Sequence, residues 1–129
     1  MVLNRRRLLR DRARLGRWGE RRCERFLRKK GLLTLTRNYY CVTGEIDLVM
    51  VDTNRSLVFV EVRTRAGEDF ADAESSVNTP KRQRIVKTAR YFLKAHKIRD
   101  RPYRFDVVII ILGPTGKPQI RHYVNAFVP

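Results

Sequence analysis

Acidic residues are scarce in this chain: 13 Asp and Glu stand against 29 Lys and Arg, for a formal net charge of +16. That imbalance favours a polyanionic partner, nucleic acid first and an anionic membrane surface second. Cysteine is nearly missing. Cys23 and Cys41 are too few for a disulfide framework and form no C-x-x-C pair, so free thiols in a reducing cytoplasm are the expectation. No run approaches the ~20 apolar residues of a membrane-spanning helix. The start Asn4-Arg-Arg-Arg-Leu-Leu9 superficially resembles a twin-arginine export signal, but Arg10, Arg12 and Arg14 follow where an apolar segment would be needed. Neither export nor a membrane partner is expected. Histidine is limited to His96 and His122, without a partner at zinc-ligand spacing, and both read as structural. Internal repeats, low-complexity tracts and linkers are also missing.

What is present fits one domain over residues 1–129, with 43% apolar residues to build a core. Apolar residues recur at helical spacing from about Arg5 to Lys30. Leu9, Ala13, Gly16, Glu20, Cys23 and Leu27 share one face of that helix. Gly16 and Gly19 each cost roughly 1 kcal/mol of helix propensity against alanine, which implies close approach of another backbone. Gly31 ends the helix. Strands are predicted over Leu32–Val42, Glu45–Asp52 and Leu57–Thr64, followed by an irregular acidic loop over Ala66–Asn78. Thr79-Pro80 reads as an N-cap with proline at the first helical position. Phe105–Leu112 reads as the central strand and Gln119–Val124 as the last. The order is αβββαββ, an α/β domain.

Three acids interrupt the apolar pattern. Asp47 lies inside the second predicted strand and Glu61 inside the third, and an antiparallel hairpin can set them side by side. Glu20 falls on the apolar stripe of the first helix. Buried carboxylates are rare without a strong partner, and three converging acids raise one another's pKa unless a cation binds. Mg²⁺ takes one or two carboxylates and keeps several waters, and the Val62 carbonyl adds a further oxygen. Glu45 shares a strand face with Asp47 and reads equally as a ligand or as an arginine's partner. Asp106 reads as an acid behind the site or as an arginine's partner. Asp52, Asp69, Asp72 and Glu74 read as solvated.

Taken together, Gly16-x-x-Gly19-Glu20, Arg37-Asn38, Gly44-Glu-Ile-Asp-Leu48, Phe59-Val-Glu-Val-Arg63, Lys81, Arg104-Phe-Asp106 and Ala126-Phe127 resemble the bacterial YraN-type predicted endonuclease family over nearly the whole chain. That family is similar to the archaeal Holliday-junction resolvases and to the wider PD-(D/E)xK nucleases. The resemblance implies a restriction-endonuclease-like fold, with a central mixed sheet flanked by helices. It implies Mg²⁺ or Mn²⁺ held by Asp47 and Glu61, with Glu20 as the acid from the first helix. It also implies action on DNA in preference to RNA, on branched or damaged DNA in particular. A resolvase would need a two-fold homodimer.

This chain departs from the pattern at Arg63, where the family carries lysine. A free lysine is neutral about one time in 10³ near pH 7, whereas arginine is effectively always protonated and cannot accept a proton. Arginine can still clamp a phosphate through parallel hydrogen bonds. Two readings follow: catalysis with Arg63 on the phosphate and Lys81 swinging in as the amine, or a nucleic-acid-binding module that has lost catalysis. Arg7, Arg10, Arg14, Arg17, Arg21 and Arg28 form a stripe suited to phosphates. Arg37, Arg65, Lys81 and Arg82 extend it. Trp18, Tyr39 and Tyr40 are either stacking platforms or packing residues. An adaptor for an anionic surface is the third reading, from charge alone.

Overall fold

Local capping chemistry divides the first helical segment. The Asp11 carboxylate accepts the backbone N–H groups of Ala13 and Arg14, at 3.0 and 3.2 Å, and so opens a new helix where periodicity predicts an unbroken one. The computed structural model, which describes residues 4–67 and 69–129, therefore starts with α1 (Arg5–Arg10) and α2 (Arg12–Lys29). They are followed by β1 (Leu33–Cys41), β2 (Gly44–Val51), β3 (Leu57–Ala66), α3 (Phe70–Ser75), α4 (Thr79–Ala95), β4 (Tyr103–Leu112) and β5 (Gln119–Phe127).

Two local expectations need correction. The acidic segment after β3 is not wholly irregular, because Asp69 caps the short helix α3 through the Ala71 N–H at 2.8 Å. Asn78, not Thr79, caps α4 by accepting the Lys81 N–H at 3.1 Å, and Thr79 is already helical.

The sheet runs β1-β2-β3-β4-β5. All neighbours are antiparallel except β3 and β4, which are parallel and joined through α3 and α4. This is a five-stranded mixed sheet flanked by helices, the arrangement expected for the restriction-endonuclease-like class. β3 occupies the middle, so β4, although buried from Phe105 to Leu112, is one place off centre.

Two apolar layers cover the sheet. On one side Phe59 stacks on Phe105 at 5.6 Å and Phe105 on Phe127 at 5.0 Å, under Phe92 of α4. On the other, Cys23 and Leu27 of α2 pack on Leu48, Met50, Val58, Val60 and Val108. Each large side chain so buried contributes about 1.5–3 kcal/mol.

Gly19 fixes how closely α2 lies on β3. A β-carbon there would fall 1.8 Å from Thr64 Oγ1, so the helix can approach only without one. The buried face of α2 is accordingly Leu15, Gly19, Cys23, Glu24 and Leu27. It is rotated from the predicted stripe: Ala13 is exposed, and Gly16 and Glu20 lie at its margin.

Candidate metal and nucleic-acid site

The acids meet where the sheet splits. β2 and β3 are paired from Leu48–Val60 to Val51–Leu57 and part beyond Leu48. Asp47 stands at that fork. Its Oδ2 accepts the Val62 backbone N–H at 2.8 Å, satisfying a donor that the departing strand has left free. Glu61, buried on β3, lies two residues beyond Phe59 and so on the α4 side of the sheet. The hairpin thus sets the Asp47 and Glu61 carboxyls close enough for each to shift the other's proton affinity.

Two cations address one oxygen of Glu61. Arg63 Nη2 is 3.0 Å from Oε2, and Lys81 Nζ, from the first turn of α4, is 3.6 Å from it. They do not fully offset the local crowding. Burial first, and the Asp47 charge second, push the Glu61 carboxyl up to about 8, against the pull of Lys81 and Arg63. Burial also raises Asp47, against the Val62 N–H and the Glu61 hydrogen bond, with Glu45 adding repulsion. Arg63 Nε is buried without a hydrogen-bond partner among the described residues, an unsatisfied donor on a guanidinium whose Nη2 is held by Glu61.

α2 contributes two glutamates with different surroundings. Glu20 is pushed up to about 7 by burial, then by Asp47 and Glu45, with Arg21 and Arg17 opposing. It therefore feels the Asp47 carboxylate across the fork. Glu45 itself is exposed. Glu24, one turn further along, is a residue that pattern reading missed. It is buried, accepts Thr34 Oγ1 at 2.6 Å and Arg37 Nε at 2.8 Å, and pairs with Arg37 Nη2 at 2.7 Å. Arg37 holds it below the usual carboxylate range, overcoming burial with help from Thr34. Glu24 is a strut between α2 and β1.

The donor set fits a hard dication. Among the described residues no three His, Cys, Asp or Glu side chains stand together as a metal cluster. Two carboxylates are nonetheless the usual protein share for Mg²⁺, and Asp47 with Glu61 supplies them. Their raised proton affinity marks negative charge that a dication would relieve. Glu20 faces this pair without joining it, and a cation on Glu61 would compete with Arg63 and Lys81.

The expected basic residues lie on α1, α2, β1, β3 and α4. Arg10, Arg14, Arg17 and Arg21 are exposed along α1 and α2, and Arg14 is shared with Asp11 at 3.2 Å. Arg37 is committed to Glu24. Arg65 donates to its neighbour's Thr64 carbonyl and lies 3.7 Å from Asp72. Arg82 donates to the Val77 carbonyl at 2.9 Å and lies over the Phe127 ring, so it braces the start of α4. Between the α1–α2 joint and the end of β3 lies a cleft of about 520 Å³, with Leu9, Leu15 and Gly16 on one wall and Arg63 and Arg65 on the other; Arg12 and Glu20 also line it. Trp18 and Tyr39 pack against the two cores, and Tyr40 is exposed.

Three further acids, Asp106, Asp52 and Glu74, are structural. Asp106 is wholly buried and accepts from Arg104, from His122 Nε2 at 2.8 Å and from the Asn125 N–H at 2.9 Å. Burial pushes its carboxyl up, but these donors outweigh that and hold it below the ordinary value. Asp52, expected to be solvated, accepts the Asn54 and Ser56 N–H groups and pairs with Arg104. Glu74, also expected in solvent, accepts from Tyr123 and pairs with Arg121. His122 bridges Asp106 and Lys30, a structural role as expected.

The uncharacterised protein family UPF0102 matches residues 19–110. The chain belongs to this family. The YraN-type resemblance carried by the motifs is a resemblance to it. A UPF0102 protein of Pelotomaculum thermopropionicum is 40% identical over 114 residues, covering 88% of this chain and 94% of its own. UPF0102 proteins of Roseiflexus castenholzii and Saccharophagus degradans are 46% and 47% identical, covering 79% and 81% of this chain and 82% and 84% of their own. Membership of UPF0102 assigns no chemistry, and no described helix is long and apolar enough to cross a membrane.

Proposed function

We propose that this UPF0102 chain is a metal-dependent endonuclease-like protein acting on DNA phosphodiesters in the cytoplasm. The observation that carries the reading is the fork between β2 and β3, where Asp47 and Glu61 meet under raised proton affinity beside Arg63 and Lys81. Asp47 and Glu61 would hold Mg²⁺ or Mn²⁺, which when bound polarises a phosphoryl oxygen and activates water. Glu20, near 7, exchanges a proton at working pH. Arg63 would turn its guanidinium, whose Nε is unpaired among the described residues, to a phosphate oxygen where charge builds in the transition state. Arg10, Arg14, Arg17 and Arg21 hold the strand by its phosphates and give binding a steep salt dependence.

A second reading has its own observation. Arg63 cannot give up a proton, and both it and Lys81 already sit on Glu61. That arrangement suits a nuclease-fold module that binds nucleic acid without cutting it. The deciding experiment incubates linear, single-stranded and four-way-junction DNA with Mg²⁺ or Mn²⁺ and wild type, Asp47→Asn or Arg63→Lys. Cleavage by wild type that is lost in Asp47→Asn supports the nuclease. Cleavage by Arg63→Lys alone supports the binding module, and cleavage unchanged in Asp47→Asn would remove the metal site.

A further inference from the structure

The two glycines of α2 have different surroundings. Gly19 is filled against by Thr64, whereas a β-carbon on Gly16 would meet nothing within 4 Å among the described residues. A glycine inside a helix costs about 1 kcal/mol against alanine. At Gly19 close packing on β3 explains that cost; at Gly16 no contact among the described residues does. Gly16 lines the 520 Å³ cleft beside the acids, together with Leu9 and Leu15, and faces Arg63 and Arg65 across it. Recesses of about 300–1,000 Å³ take small organic ligands, and a missing side chain lets one approach the backbone.

We infer that this cleft is a nucleotide recess, in which a sugar and base lie on Leu9, Leu15 and Gly16 while the adjoining phosphate is held by Arg63 and Arg65. Both sides mix apolar and charged groups: Arg12 and Glu20 lie with the helix leucines, and Val62, Thr64 and Ala66 with the strand arginines. Arg63 also carries a buried Nε without a hydrogen-bond partner among the described residues. Asp72 also lines the cleft, but its charge is opposed by Arg65 at 3.7 Å. Glu20 lines it where it nears the fork, so a nucleotide in the recess would continue into the strand that crosses Asp47 and Glu61.

A base paired and stacked inside a duplex cannot enter a recess, whereas an unpaired or extruded one can. The substrate class that follows is DNA with an unpaired nucleotide next to the site of attack, in preference to intact duplex. This rests on the nuclease reading for the word attack, and on geometry alone for the binding.

The test uses full-length protein in EDTA, so that binding is read without cleavage. Duplexes with one 2-aminopurine, either paired or opposite a gap, are titrated with wild type, Gly16→Ala and Gly16→Leu. Wild type should favour the gapped duplex and change its fluorescence. Gly16→Leu should weaken that complex about tenfold, a loss of about 1.4 kcal/mol, and leave the paired duplex unaffected. Both variants should melt at or above the wild-type temperature, since each residue is a better helix former than glycine.

Equal affinity of wild type for both duplexes would overturn the recess. So would folded Gly16→Leu and Gly16→Ala proteins that bind the gapped duplex like wild type. If gapped-duplex binding is selective and Gly16-dependent but Mg²⁺ and Mn²⁺ elicit no cutting, the recess stands and the nuclease reading alone fails.

Discussion

Asp47 takes the Val62 backbone N–H at 2.8 Å across the fork between β2 and β3. One carboxylate oxygen thereby replaces a strand–strand hydrogen bond, and the group is fixed beside Glu61. Asp47→Asn and Asp47→Ala should therefore behave differently. The amide oxygen of Asn can still accept from Val62, so Asp47→Asn should keep wild-type stability while losing metal-dependent cleavage by at least about 10²-fold. Asp47→Ala leaves a buried N–H unpaired and should also lower stability by about 1–3 kcal/mol. Urea unfolding beside a cleavage assay separates the two effects.

Glu20 and Glu24 lie one turn apart on α2 and should answer to different assays. Glu24→Ala strands Arg37 and Thr34, and a loss of about 1–3 kcal/mol is expected with activity per folded molecule retained. Glu20→Gln removes like charge from the acid site. It should leave stability equal or higher while lowering cleavage. A melt and a rate on the same two preparations decide the assignment, and the opposite pattern would exchange their roles.

The acid pair should make stability depend on pH. Glu61 binds its proton up to about pH 8 in the folded chain, against an ordinary value of 4.5. Between those values the folded state holds more protons than the unfolded one, so stability falls as pH rises from about 5 to 8. The pair titrates together with Asp47. The difference in urea midpoint between wild type and Glu61→Gln should shrink or change sign over that window, wild type losing as pH rises. Added Mg²⁺ should stabilise wild type more at pH 8 than at pH 5, because ligation requires the deprotonated pair. A difference independent of pH would show that Glu61 titrates normally.

Gly19 should tolerate no side chain. Its β-carbon would fall 1.8 Å from Thr64 Oγ1 and 2.8 Å from Thr64 Cβ and Cγ2. Overpacking of this kind costs about 1–3 kcal/mol, which more than cancels alanine's helix advantage. Thr64→Ala removes the Oγ1 and Cγ2 clashes and keeps the Cβ contact, so the double variant should recover part of the loss. Urea unfolding of the four proteins gives the coupling directly.

The same helix shows how far the pattern was legible. Gly16-Glu20-Cys23-Leu27 and Leu15-Gly19-Cys23-Leu27 both satisfy a 3.6-residue period, and only Thr64 in the Gly19 gap selects the second. Glu20 is legible because an acid on or near an apolar stripe needs a reason, even though the buried stripe lies to one side. Glu24 was missed because its partners, Thr34 and Arg37, lie on β1 and no local signal joins them. Asp47 and Glu61 were easier: each interrupts an apolar strand, and a hairpin makes their proximity a local matter. The Asp52–Arg104–Asp106–His122 network connects a turn with β4 and β5, and such long-range pairing leaves no periodic trace. Six residues of α3 are likewise too few to show a period.

Arg63 and Lys81 reach the same Glu61 oxygen, at 3.0 and 3.6 Å, from different elements. Their chemistry differs: only the lysine can pass through a neutral form. If cleavage proceeds with Arg63 on the phosphate, Lys81 is the one amine at the acid pair among the described contacts able to accept a proton. Lys81→Ala should then lower the rate by about 10²–10⁴-fold. Lys81→Arg should not rescue it, although it restores the charge. Arg63→Lys combined with Lys81→Ala should recover activity, because the amine returns on β3. Rescue by Lys81→Arg would mean that Lys81 contributes charge alone.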